Sequence, residues 1–253
     1  MILEAFNLDG KVALVTGCNT GLGQGMALAL AQAGCDIVGV NYAGPDETPA
    51  LIEATGRRFH SIVADLSDAS VIASVVDRAV TQAGRIDILV NNAGIIRRDD
   101  AINFSEQDWD DVMNLNAKSV FFLAQAAARQ FQAQQSGGKI INIASMLSFQ
   151  GGIRVPSYTA SKSAVMGITR LLANEWASQG INVNAIAPGY MATNNTAALR
   201  ADAERNQAIL ERIPAQRWGL PSDLAGPVVF LASSASDYVN GYTIAVDGGW
   251  LAR

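Results

Sequence analysis

Tyr158 and Lys162 stand four residues apart in the run Pro156-Ser157-Tyr158-Thr159-Ala160-Ser161-Lys162. Behind a proline that can open a helix, this spacing puts both side chains on one helix face. A free phenol ionises near pH ~10, so tyrosine is a poor base at neutral pH unless a neighbouring positive charge favours its phenolate. An ammonium one helical turn away supplies such a charge. Ser145 precedes them, at the end of an apolar, β-branched run where its hydroxyl can hydrogen-bond a substrate oxygen. Alone, a tyrosine and a lysine at helical spacing are mostly ring packing beside a solvated charge. With Ser145 they describe proton transfer at an alcohol or carbonyl oxygen.

A second group of residues could bind rather than react. Thr16-Gly17-Cys18-Asn19-Thr20-Gly21-Leu22-Gly23 follows an apolar run and leads straight into QGMALALAQAG. Glycines let the backbone turn tightly and approach a pyrophosphate, whose charge then rests on free amides at a helix N-terminus. A glycine cluster by itself is only a turn; a strand before it and a helix after it point to a dinucleotide.

The elements that must position these groups are legible as alternating β-branched runs and Ala-rich stretches. Strands are expected at Val12-Thr16, Asp36-Val40, Arg58-Ala64, Ile86-Asn91, Lys139-Ala144, Asn182-Ala187 and Thr243-Val246, and helices at about 22–33, 47–55, 68–82, 105–133, 157–178 and 222–233. That alternation predicts an α/β fold: one Rossmann-type, doubly wound parallel sheet of seven strands with helices on both faces, forming a single domain over 1–253. Gly34 should end the first helix, Asp68 can cap the third, and Ser136-Gly137-Gly138 should turn the chain into a strand. The stretch at about 190–220 breaks the alternation with AALRADAERNQAILERI, followed by Pro214 and Pro221. Beyond a strand's carboxyl end such an insertion lies over the ligand crevice, so it is read as a substrate-covering helical segment.

Composition narrows the chemistry further. The 253 residues are 49% hydrophobic and 16% charged, which suits a soluble globular chain, and carry a formal charge of -5. One histidine, His60, cannot build a multi-histidine metal site and lies in GRRFHSIVAD near no nucleophile, so it is read as structural and no metal is expected. Cys18 and Cys35 lack CxxC spacing and suggest a reducing compartment, with the cytoplasm as the expected location. No apolar run reaches membrane-spanning length, MILEAFNLDG lacks the basic start of a signal peptide, and net acidity without a Lys/Arg-rich stretch argues against nucleic acid.

The loop spacing is TGxxxGxG, and further motifs follow in order: Asp65-Leu66, Asn91-Asn92-Ala93-Gly94, Asn116, Ser145, Tyr158, Lys162, and Pro188-Gly189 with Thr193. Together they resemble the short-chain dehydrogenase/reductase family over nearly the whole chain. The resemblance implies that Gly17, Asn19, Thr20, Gly21, Leu22 and Gly23 hold a nicotinamide dinucleotide, that Asp65 and Leu66 border the adenine, that Asn92 and Gly94 line the nicotinamide side, and that Pro188, Gly189 and Thr193 hold the nicotinamide end. It also implies reversible hydride transfer, with Tyr158 as acid and base, Lys162 depressing its pKa and binding ribose, Ser145 orienting the substrate, and Asn116 holding a water. Asn114 is the alternative to Asn116, which is favoured by its place before Lys118-Ser119-Val120-Phe121. Asn41 stands where relatives that prefer NAD carry aspartate. With no base at Cys18, Asn19, Thr20, Asn41 or Tyr42 to pair a 2′-phosphate, NAD is the expected cofactor.

The segments after NNAG, after Ser145 and after Gly189 carry Arg97, Arg98, Gln150, Arg154, Asn194 and Asn195, a polar set with three cations. Such a lining suits a sugar acid better than a steroid or acyl chain, with Arg98 and Arg154 as expected carboxylate ligands beside Gln150, although any one arginine is as readily a surface charge. The runs NNAGIIRRDD, NIASMLSFQGGIRVPSYTASKSAV and APGYMATNNTAALR resemble sugar-acid dehydrogenases within the family, which implies a role in pectin and uronate breakdown. The competing readings are a 3-oxoacyl-carrier-protein reductase, expected to be NADPH-dependent, and a non-catalytic nucleotide sensor. The Ala-rich helices at 105–133 and 157–178 and the end Asp247-Arg253 suggest the interfaces of a homotetramer.

Overall fold

The computed structural model describes residues 1–44 and 47–253. Seven strands form one sheet: β1 (Val12–Thr16), β2 (Asp36–Asn41), β3 (Phe59–Val63), β4 (Ile88–Asn91), β5 (Gly138–Ile143), β6 (Ile181–Pro188) and β7 (Thr243–Val246). All pairings are parallel, in the order β3-β2-β1-β4-β5-β6-β7. Strands are added on one side of β1 up to β3 and on its other side from β4 onward, so the crevice at the carboxyl ends of β1 and β4 is the topological switch point where ligands bind.

The helices are α1 (Gly21–Gln32), α2 (Thr48–Glu53), α3 (Ile72–Ala83), α4 (Glu106–Met113), α5 (Ser119–Gln134), α6 (Pro156–Trp176), α7 (Ala197–Ala201), α8 (Ala203–Arg212) and α9 (Ala225–Ala232). β1 is buried throughout, and its pleat divides the core in two. Ala13 and Val15 meet α1 and α9 through Met26, Leu30, Val228 and Leu231. Val12 and Leu14 join the opposite layer with Val75 and Val76 of α3, Leu123, Ala127 and Phe131 of α5, and Leu172 of α6. Strands covered on both faces need apolar residues at every position, which is why their runs are continuous.

The helix expected over 105–133 is interrupted by a π-helical turn at Asn114–Lys118. The segment after β6 comprises a 3-10 turn followed by α7 and α8, parted at Asp202, whose side chain accepts from the Arg205 amide at 3.1 Å. Asp68 caps a 3-10 turn, accepting from the Ser70 amide, and α3 begins at Ile72. Among the described residues no helix is long and apolar enough to cross a membrane, and no group of three His, Cys, Asp or Glu side chains could hold a metal ion. Cys18 and Cys35 are buried free thiols, and burial raises Cys18 to about 11.

Candidate active site

The crevice begins where β1 releases the chain into the glycine-rich loop. Gly17 has φ +65°, and a Cβ there would lie 3.0 Å from the Ala93 Cα. A Cβ on Gly23 would lie 2.1 Å from the Gly17 carbonyl oxygen, so the first turn of α1 fits against the loop only without a side chain. Asn92 fastens the loop from β4: its Nδ2 donates to the Thr16 and Gly17 carbonyls at 2.9 and 3.0 Å. The Thr16 hydroxyl accepts from the Asn92 and Ala93 amides in return. Thr20 precedes α1 without capping it through its side chain, which leaves the helix N-terminus open to an anion.

Asn41, the last residue of β2, is turned inward. Its Oδ1 accepts from the Cys18 amide at 2.8 Å and the Asn19 amide at 3.2 Å. Asn19 in turn donates to the Gly44 carbonyl at 2.9 Å. The expected ribose-facing residue is therefore a buried anchor of the loop. Asn41, Asp65, Leu66, Gly17 and Gly94 line a cavity of about 540 Å³ in the crevice. Asp65 is exposed, and its Oδ1 accepts from the Ser67 amide and hydroxyl, while the Leu66 side chain is buried. At the far end the Gly189 amide donates to Val246, and Thr193 faces Gly21 across the crevice, its Cγ2 being 3.6 Å from where a Gly21 Cβ would stand. These cradles and the open helix end fit a dinucleotide.

The reacting groups come from the turn after β5 and from α6. Ser145 follows β5 and starts a 3-10 turn, accepting from the Leu147 amide at 3.1 Å. The Ser148 hydroxyl donates to the Lys162 carbonyl at 2.6 Å, tying that turn to α6. Pro156 opens α6, and one turn beyond Tyr158 Lys162 is buried, donating from Nζ to the Ile143 carbonyl at 2.6 Å. Its ammonium lies 5.7 Å from the centre of the Tyr158 ring. Burial lowers Lys162 to about 8. Tyr158 moves the other way: burial raises it, against a hydrogen bond from Ser145 and the charge of Arg98, both of which lower it. In the chain alone the phenol is thus a proton donor at neutral pH.

Asn116 sits in the π turn, completely buried. Its Nδ2 donates to the Ile95 carbonyl at 2.8 Å and the Ser161 hydroxyl at 3.3 Å, and its Oδ1 accepts from the Ile95 amide at 2.9 Å. It joins the segment after NNAG to the first turns of α6, whereas Asn114 is only half-buried. Single π turns inside helices recur at functional sites because they re-aim one side chain.

The expected substrate residues are distributed unevenly. Arg98 makes no ion pair among the described residues and stands near enough to act on Tyr158. Arg154, at φ +62°, is exposed and paired with Asp100 at 3.1 Å, while Arg97 is committed to Asp108 and Asp111. Gln150 accepts from Arg212 of α8, a cation that sequence reasoning missed. Its signal would have been Trp250, over whose ring the Arg212 guanidinium lies at 3.9 Å.

This arrangement of loop, switch-point crevice and Ser-Tyr-Lys group is that of a nicotinamide-dependent oxidoreductase. A short-chain dehydrogenase family model described as "Enoyl-(Acyl carrier protein) reductase" matches residues 17–251, and the chain belongs to the short-chain dehydrogenase/reductase family. It is 75% identical, over the full length of both chains, to a protein of Escherichia coli K12 named 2-dehydro-3-deoxy-D-gluconate 5-dehydrogenase. A relative of the same name from Dickeya dadantii is 76% identical, again over both full lengths. A crystal structure from Agrobacterium tumefaciens, assigned as a 2-deoxy-D-gluconate 3-dehydrogenase with bound NADP, is 59% identical, with a TM-score of 0.93 covering 98% of this chain and 99% of that one.

Proposed function

We propose that this dehydrogenase interconverts 2-dehydro-3-deoxy-D-gluconate and 3-deoxy-D-glycero-2,5-hexodiulosonate with NAD(H), in the breakdown of pectin and uronates. The observation that carries this reading is the 75% identity over full length to a protein named for that activity. Bound in the crevice, the cofactor supplies or accepts the hydride. In reduction Tyr158 donates its hydroxyl proton to the substrate oxygen, which Ser145 holds; in oxidation it takes the proton back. Lys162, fixed by Ile143, binds the nicotinamide ribose. Asn116 holds a water linking Lys162 to solvent, and does so as an acceptor because both its amide hydrogens are already donated. Arg98 serves the reacting end, with Gln150 and Arg154 on the side facing solvent.

NAD(H) is favoured because the chain has no basic residue between Lys11 and Arg57, the stretch that holds the loop, β2 and α2. A 2′-phosphate would find no charge-assisted partner there. Glu47 lies beside the loop as well, bonded by Gln24 at 3.3 Å, and its charge opposes a dianion. We read residues 1–253 as one domain in which α7 and α8 cover the substrate, and the protein as a cytoplasmic homotetramer. Trp109, Phe122 and Leu171, exposed on α4, α5 and α6, support the assembly, which light scattering tests.

The function is tested by oxidation of NADH and NADPH against a panel of keto sugar acids with an acetoacetyl thioester as control. The expected result is turnover of the hexodiulosonate with higher kcat/KM for NADH. Turnover of the thioester alone would favour the acyl-carrier reductase, and cofactor binding without any turnover a nucleotide sensor.

A further inference from the structure

Arg212 ends α8 where the covering segment meets the turn after Ser145. Its guanidinium carbon lies over the Trp250 ring, 3.9 Å from the ring centre, the group reaches Gln150 Oε1 at 3.4 Å, and it makes no ion pair among the described residues. The plate beneath it is fixed. Trp250 is buried, packs against Tyr190 at 4.8 Å between ring centres, and shares one apolar cluster with Met146, Ile209 and Ile213. Asp247 holds the turn that carries it, accepting from the Gly249 and Leu251 amides. Met146 adjoins Ser145 and accepts from the Gln150 amide at 3.2 Å, so the side chain that Arg212 reaches is carried by the turn that starts at the reacting serine.

We propose that Arg212 binds the substrate carboxylate, so that α8 closes on the acid end while Ser145 and Tyr158 hold the reacting oxygen at the other. The proposal rests on the sugar-acid reading above. Stacking leaves the edge of a guanidinium free for a two-pronged contact with a carboxylate, and Trp250 supplies that orientation before substrate arrives. The alternatives fit less well. Arg154 already has Asp100. Arg98 lowers the Tyr158 phenol by its charge and so belongs with the reacting end. In a six-carbon acid that reacts at C5, the carboxylate carbon is four bonds from that carbon.

The test compares the keto acid with its primary amide, which lacks the negative charge, in the wild type, R212Q and R212K, with NADH affinity measured by fluorescence. R212Q should raise KM for the acid about tenfold or more, leave its kcat within about twofold, and change neither KM for the amide nor NADH affinity. R212K should recover part of the loss. An equal rise for acid and amide, or an unchanged KM for the acid, would overturn the assignment. A wild type that does not prefer the acid over the amide overturns the sugar-acid reading itself, whereas a preference surviving in R212Q removes only Arg212 from it.

Discussion

On the cofactor side of the crevice, the glycine-rich loop is gripped by amide groups from two strands: Asn92 on the Thr16 and Gly17 carbonyls, and buried Asn41 on the Cys18 and Asn19 amides. On the substrate side, the corresponding contacts are an exposed Arg154–Asp100 ion pair and a long Arg212–Gln150 bond. Breaking a buried hydrogen bond costs about 1–3 kcal/mol, while an exposed ion pair contributes about 0–1 kcal/mol. The cofactor side is therefore set before anything binds. The substrate side can be reshaped at little cost in stability, and that is where one family can accommodate different substrates on a common reaction.

Five substitutions at four positions separate the two sides, from the largest expected effect to the smallest. Tyr158→Phe removes the proton that both directions of the reaction need and should lower turnover about a thousandfold, with NADH binding unchanged in a fluorescence titration. Near-wild-type turnover would take Tyr158 out of the chemistry. Gly23→Ala drives a methyl group into the Gly17 carbonyl, 2.1 Å from its Cβ position. It should cost about 1–3 kcal/mol in denaturant unfolding and weaken NADH binding at least about tenfold; a stable variant with normal affinity would show that the loop is not preset.

Asn41→Ala leaves two loop amides without their acceptor and should cost about 1–3 kcal/mol, whereas Asn41→Asp keeps the acceptor, retains the fold and increases the preference for NADH over NADPH. Comparing their Tm values and cofactor kcat/KM ratios checks both halves of that statement. The mildest change is in pH dependence. Burial holds the Tyr158 phenol above its ordinary value, so oxidation, which needs it deprotonated, should rise with pH on the alkaline side, while reduction persists at neutral pH. Arg98 lowers that pKa, so Arg98→Gln should move the oxidation limb to higher pH; an unmoved limb would detach Arg98 from the reacting end.

Much of the cofactor side was legible in the sequence because it is built from backbone conformation and strand ends. β1 and β7 have the bounds their apolar runs imply, and glycines mark where side chains cannot fit. The π turn was not legible, because NLNAK contains no helix breaker; the choice of Asn116 over Asn114 rested on its place in the run, and its burial against Ile95 and Ser161 gives the physical reason. Asn41 was placed at the right strand end, but its inward rotation depends on loop amides twenty-two and twenty-three residues away. Arg212 was missed because it stands beside Glu211 at the exposed, charged end of α8, where an arginine reads as surface charge. Its partners, Gln150 and Trp250, come from distant parts of the chain.

The central claim is that the reacting carbon lies at the end of the acid remote from its carboxylate. 3-Deoxy-D-glycero-2,5-hexodiulosonate offers two ketones, at C2 beside the carboxylate and at C5 far from it. Reduction with NADH followed by carbon NMR of the product tests the claim directly. The expected result is a new hydroxyl at C5 with the C2 ketone intact; a hydroxyl at C2 would contradict it.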